Sequence, residues 1–152
     1  MIIIERYDPR KDKGGLKELF DDFMHNKSYF SSNWNKFEYE LSKRQLNLQY
    51  RNSMVMARED EKMVGWGKYT IFRDYLGNDH ILIHQIFTKK EDSFRKGIEE
   101  KIIRELLKYA KSITPDVEKY NLICTDSDSN YRNLLIKLGL KKSEFFWYES
   151  DF

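Results

Sequence analysis

Residues 83–103 read IHQIFTKKEDSFRKGIEEKII: the end of an apolar strand, a basic turn containing glycine, and the start of an amphipathic helix. From that turn onward Ile98, Ile102, Ile103, Leu106, Leu107, Ala110 and Ile113 fall on one stripe, the clearest helical periodicity in the chain. A helix with such a stripe must pack against a sheet. The turn before it has a second implication, because a helix N-terminus offers free N–H groups and a favourable dipole to a phosphate.

Working back from this stretch, MVMA, MVGWGKYTIF and ILIHQIFT, separated by the turn-like EDEK and YLGND, predict three consecutive antiparallel strands. The opening MIIIERYDPR reads as a first strand. Gly14-Gly15 opens a helix carrying Leu16, Leu19, Phe20, Phe23 and Met24 on one face. The polar HNKSYFSSN leads to Asn33 as an N-cap, and Trp34, Phe37, Leu41 and Leu48 predict a second helix to about residue 49. Beyond the stripe, Thr114-Pro115-Asp116 stops the helix and YNLICT reads as a buried strand. Ser129 to Leu138 forms a short helix ended by Gly139, and SEFFWYES closes the chain as a last strand. This order predicts an α+β fold: a mixed, mostly antiparallel sheet with one parallel contact between the fourth and fifth predicted strands, flanked by helices.

At 152 residues the chain reads as a single domain, 1–152, able to bury a core without disulfides. A formal net charge of +2 exerts no strong pull toward nucleic acid, and acidic residues are interspersed among the lysines of the second helix and the 89–96 loop. The three-isoleucine run near the start is too short for a signal peptide or a membrane span. Cys124 is the only cysteine and lies in an apolar run, so no disulfide framework is expected and a cytoplasmic protein is the plain reading. His25, His80 and His84 show no metal-ligand spacing, and no metal is assigned.

Three stretches resemble the GNAT superfamily of acyl-CoA N-acyltransferases, whose order of elements is similar over nearly the whole chain. VMAREDEKMVGWGKY looks like the family's central hairpin. IHQIFTKKEDSFRKGI is similar to the strand, loop and helix start carrying Arg/Gln-x-x-Gly-x-Gly/Ala, and NYRNLLIKLGLKKSEF resembles the late helix and the Lys-Leu-Gly-Phe that follows it. The resemblance implies acetyl-CoA as cofactor, its pyrophosphate held at Arg95, Lys96, Gly97 and Ile98, and its thioester carbonyl held by a backbone N–H among Ile86, Phe87 and Thr88.

Two positions depart from that pattern. With Gly97 matched to the first glycine, Phe94 occupies the Arg/Gln position; a loop one residue shorter puts Arg95 there instead. In either match Glu99 stands where Gly or Ala lets phosphate approach. A carboxylate there repels the diphosphate unless it swings out to solvent, while Lys89, Lys90, Arg95 and Lys96 offset it. The late-helix tyrosine that often serves as general acid is matched by Leu135, with Tyr131 one turn earlier on the same face.

The resemblance makes His84 the candidate base, since histidine titrates near neutral pH; a satisfied strand histidine is the other reading. Asp126 and Asp128 follow the fifth predicted strand and serve either a cleft or the cap of the next helix. Tyr131 is either a proton donor or a core contact. The tail Phe145-Phe146-Trp147-Tyr148 has aromatic residues on both strand faces, which suggests burial of one and a homodimer or substrate contact on the other. The implied function is transfer of an acetyl group from acetyl-CoA to an amine on a small molecule, peptide or protein. The alternative is a GNAT-fold protein that binds a ligand or partner without catalysis. HNKSYFSSNWNKF matches no acceptor motif.

Overall fold

The middle of the chain is built on alternation. Along Lys62–Arg73, Trp66 joins one apolar cluster while Tyr69 and Ile71 join the other, as expected of a strand covered on both faces. The computed structural model describes every residue except 27–31, 51 and 118, so most of the polar stretch before Asn33 lies outside the described residues.

The strands are β1 (Ile2–Arg6), β2 (Met54–Glu59), β3 (Lys62–Arg73), β4 (Asp79–Ile83), β5 (Phe87–Thr88) and β6 (Tyr120–Leu122). The helices are α1 (Pro9–Asn26), α2 (Trp34–Leu46), α3 (Ile98–Ile113) and α4 (Ser129–Lys137). Among the described residues they form an α+β fold around a sheet of order β1-β2-β3-β4-β6, with β5 pairing β3. The β4–β6 pair is parallel and the others antiparallel. The meander closes through turns with positive φ at Asp60 and Glu61 and at Gly77.

Helices pack on both faces. Leu16, Leu19, Phe20 and Phe23 of α1 meet Met54, Met56, Trp66 and Phe87 on one side. Ile98, Ile102, Ile103, Leu106 and Ala110 of α3 meet Val55, Tyr69, Ile71 and Ile83 on the other. The second contact is very close. A Cβ on Gly65 would lie 2.5 Å from Ile98 Cγ2, and one on Gly67 would lie 2.7 Å from Ile86 Cδ1 and 2.8 Å from Ile102 Cγ2. The missing side chains let α3 rest on β3.

Several expectations need correction. The first helix starts at Pro9, not at the glycine pair. Asp8 caps it by accepting the Arg10 N–H at 3.0 Å, and Pro9 sits where a missing N–H costs nothing. Gly15 lies inside the helix, where its hydrogen permits close approach to Met63. Asn33 does cap α2, accepting the Lys36 N–H at 2.9 Å, but that helix ends at Leu46 and a 3-10 turn, Leu48–Tyr50, follows.

ILIHQIFT is two strands, not one. Trp66 faces Phe87 and Tyr69 faces Ile83, so three residues, His84 to Ile86, oppose two, Gly67 and Lys68. That single excess residue breaks the ladder as a bulge does.

YNLICT forms only a short edge strand that is largely exposed. SEFFWYES is not a strand, and Phe145, Phe146, Trp147 and Tyr148 are exposed. The three residues of β6 provide too few ladder bonds to offset the entropy of ordering this eight-residue segment. No described helix is long and apolar enough to cross a membrane.

The close approach of α3 to β3 is testable. Gly65→Ala should destabilise the fold by about 1–3 kcal/mol through overpacking. The loss would be read as a lower urea midpoint with an unchanged slope; an unchanged midpoint would mean that α3 is free to shift.

Candidate active site

The break between β4 and β5 opens beside the N-terminus of α3. Between them lies a cavity of about 180 Å³, lined by Phe23, Asn26, Gln85, Ile86, Thr88, Phe94, Glu99 and Tyr131, among others. The His84 N–H still reaches the Lys68 carbonyl at 3.3 Å. Among the described residues the Gln85 and Ile86 N–H groups have no protein hydrogen bond. Phe87 and Thr88 pair with β3 along one edge, and in such a ladder successive residues alternate in the edge toward which their N–H points. One of those two N–H groups therefore faces away from β3.

Opposite this edge is the turn before α3. Gly97 has the left-handed conformation, φ 69°, and open space where a side chain would stand. The N–H groups of Lys96, Gly97, Ile98 and Glu100 find no protein acceptor among the described residues. They form the unpaired start of a 16-residue helix, suited to an anion. Arg95 is exposed beside them. Lys96 already bridges Glu59 at 2.7 Å and Asp92 at 3.1 Å, so part of its charge is neutralised.

Glu99 does not swing out to solvent, the arrangement that would have relieved its repulsion of a diphosphate. Its side chain turns inward, the residue is 2% exposed, and its two oxygens accept the Phe94 N–H at 3.2 and 3.0 Å. Burial raises its pKa above the usual carboxylate value, against the lowering effect of those N–H bonds. Phe94 pays for the contact with a positive φ of 60°.

The other candidates take distinct places. His84 Nε2 lies 2.9 Å from Thr70 Oγ1, which also accepts from Arg44 Nη2 at 2.6 Å. Burial first, then the charges of Lys68 and Arg44, push the His84 pKa down to about 4, so it does not titrate near neutral pH as the sequence implied. Tyr131 is 1% exposed and borders the cavity, and its hydroxyl has no hydrogen-bond partner among the described residues. Burial raises its pKa well above the ordinary tyrosine range. Leu135 packs in the core.

Asp126 is exposed, 3.8 Å from Lys142, and does not line the cavity. Asp128 caps α4, accepting the Tyr131 N–H at 3.1 Å and a bond from Gln85 Nε2 at 3.0 Å. Ile98 is buried under Gly65, while Phe87 sits in an aromatic cluster, 4.5 Å from Phe23 and 5.2 Å from Trp66. His80 pairs with Asp74 on the meander turn. Among the described residues no group of three His, Cys, Asp or Glu could hold a metal ion.

Sequence reasoning passed over Gln85, although a polar residue within ILIHQIF was a visible irregularity. It is 7% exposed, and its side-chain oxygen has no partner among the described residues.

Residues 16–139 match the acetyltransferase (GNAT) family. Solved structures with the same fold include a ribosomal-protein-alanine N-acetyltransferase from Brucella melitensis biovar Abortus 2308, with 17% identity and a TM-score of 0.71 over 100% of this chain and 99% of that one. Glucosamine-6-phosphate N-acetyltransferase from Arabidopsis thaliana aligns with 13% identity and a TM-score of 0.71 over 99% and 98% of the two chains. The aminoglycoside N-acetyltransferase AAC(6')-Iy, in complex with CoA, aligns with 11% identity and a TM-score of 0.75 over 99% and 95%. No curated protein sequence matches this one. At such identities the solved structures share a fold, whereas the family match is made by the sequence itself and runs from Leu16 to Gly139 through the broken strand and the turn before α3: the chain belongs to the acetyltransferase (GNAT) family.

Proposed function

We propose that this protein transfers an acetyl group from acetyl-CoA to an amine on a small molecule, peptide or protein. The observation that carries the reading is two sets of backbone donors left free among the described residues: Gln85 and Ile86, which line the cavity at the strand break, and Lys96, Gly97 and Ile98 at the start of α3, next in the chain to the lining residues Phe94 and Glu99. The second set, with Arg95 beside it, fits a pyrophosphate. The first set, with the outward N–H of Phe87 or Thr88, fits a thioester carbonyl whose oxygen gains charge during attack.

Acetyl-CoA would supply the acyl group as a thioester; the chain's own groups do the rest. Backbone donors at the break stabilise developing charge without reorganising. Tyr131 holds its proton too tightly to act as a strong acid, so its hydroxyl serves as a hydrogen-bond donor to the departing sulfur, which takes up the proton that the neutral attacking amine sheds on forming the amide. His84 stays neutral at physiological pH and is a weak base, which suits it to orienting the attacking amine. Asp126, exposed beside Lys142, takes no part. The lone Cys124 fits a reducing cytoplasm.

One observation favours a second reading, a GNAT-fold protein that binds without catalysis. The inward Glu99 occupies the Phe94 N–H and puts a carboxylate against the cavity where the diphosphate would approach. Calorimetry with acetyl-CoA at low and moderate salt separates the two, followed by thiol release with a panel of amines. Micromolar, salt-sensitive binding with release supports transfer; no binding at millimolar acetyl-CoA leaves the second reading.

Three outcomes are expected. Glu99→Gln removes a buried charge while keeping an acceptor for Phe94, and should tighten acetyl-CoA binding about three- to tenfold. In the wild type the same gain should appear as pH falls toward the raised Glu99 pKa, and calorimetry of the variant should show that dependence lost.

His84→Ala should lower turnover yet leave the shape of the rate profile between about pH 6 and 8 unchanged. A lost inflection in that range would mean His84 titrates there.

For stability, a histidine depressed from 6.5 to about 4 contributes fully above pH 6.5 and loses that contribution as pH falls through 4, because the unfolded chain takes up the proton first. The urea midpoint should therefore drop across that window by the equivalent of about 1–3 kcal/mol, and His84→Gln should flatten the drop.

A further inference from the structure

On the α2 side of β3, Lys68 follows Trp66 and precedes Thr70. Its Nζ lies 5.8 Å from the centre of the Phe37 ring, and among the described residues it has neither a hydrogen bond nor a carboxylate partner. Lys68 stands directly opposite the strand break, its carbonyl accepting the His84 N–H. Behind it is Arg44, 6% exposed, whose guanidinium is committed to the fold: Nη1 donates to the Tyr69 carbonyl at 3.0 Å and Nη2 to Thr70 at 2.6 Å. Among the described residues Arg44 Nε has no hydrogen-bond partner, and it lies 3.8 Å from a Glu40 oxygen.

Among the described residues the charges facing this spot do not balance. Arg44 and Lys68 are positive, and Glu40, with its side chain 48% exposed, is the carboxylate that faces them. Tyr69 and the low-pKa His84 are neutral there at physiological pH. Burial and Arg44 lower the Lys68 pKa to about 8, so the ammonium still predominates near neutrality. One uncompensated, half-buried positive charge therefore sits beside the break. Packing does not require a charge there, because the stem over Phe37 would serve equally without it.

We propose that Lys68, backed by Arg44 and flanked by His84 and Thr70, forms a subsite for a single carboxylate carried by the acceptor next to its reactive amine. The proposal rests on the acetyltransferase reading for the word acceptor, but the anion subsite itself does not. One excess positive charge matches one carboxylate. A dianionic phosphate would leave a net negative charge in a half-buried place, and the Arg44 fork that would grip it is already bonded to Tyr69 and Thr70. Such a group would hold the amine near His84 and direct it at the carbonyl bound in the break.

The test uses the full chain with isotope-labelled lysine, following Lys68 by NMR across pH in acetate and in chloride of matched ionic strength. Acetate bound to the ammonium should raise the Lys68 pKa by about one unit, equivalent to tenfold tighter binding to the protonated form. Equal titration in acetate and chloride overturns the subsite. A larger rise in inorganic phosphate than in acetate overturns its assignment to a carboxylate.

In parallel, thiol release from acetyl-CoA is measured with amino acids and with their carboxamides. The acids should be preferred about tenfold or more in kcat/KM, and Lys68→Met should bring that ratio near one. Equal rates for the two sets in the wild type overturn the acceptor part of the proposal. No release with either set, while acetate still raises the Lys68 pKa, supports the anion subsite and overturns the acceptor part of the proposal; if acetyl-CoA also fails to bind at millimolar concentration, the acetyltransferase reading falls with it.

Discussion

Helix α3 can lie directly on β3 because Gly65 and Gly67 place only hydrogens between the helix and the sheet. Ile98, Ile102, Ile103 and Leu106 are all within 1% of complete burial there, and burying each such side chain stabilises the fold by roughly 1.5–3 kcal/mol. The contact does more than hold the sheet. It sets the height of the helix above β3, and so aims the first turn of α3 at the point where β4 gives way to β5.

That point exists because three residues face two. A regular ladder from Ile81 to Thr88 would have paired every backbone donor on its β3 side and left no cavity. The extra residue costs ladder bonds and leaves the Gln85 and Ile86 N–H groups, the Gln85 oxygen and the Tyr131 hydroxyl without protein partners. Unpaired polar groups are costly inside a protein, and their gathering around one cavity is the mark of a place meant for a ligand.

Two buried or half-buried charges flank the break. A carboxylate faces inward beside the phosphate-type turn, while an unpaired ammonium stands on the other side of the break, where an amine would enter. In the proposed transfer reaction, Glu99 would work against the donor and Lys68 would favour an anionic acceptor. Both are long side chains whose charged ends burial has drawn away from their ordinary pKa values.

Much of the architecture was legible from neighbours in sequence. The α3 stripe as far as Ala110, the Asn33 cap, the first two strands of the meander and the glycine after α4 all act over a few residues, and each was read correctly. The start of α1 was equally local, written in Asp8-Pro9, but the glycine pair drew attention from it. The site was less legible: the turn at Gly97 and the stretch around Ile86 could be named, but not the break that makes them a pair. Whether Glu99 points in or out, whether His84 titrates near pH 6.5 or near 4, and whether the aromatic tail finds an edge depend on groups brought from elsewhere in the chain. Periodicity and caps belong to the sequence, because the forces behind them reach one or two turns. Burial, strand register and the pKa of a buried group belong to the tertiary structure, because desolvation and Coulomb interaction depend on distance through space.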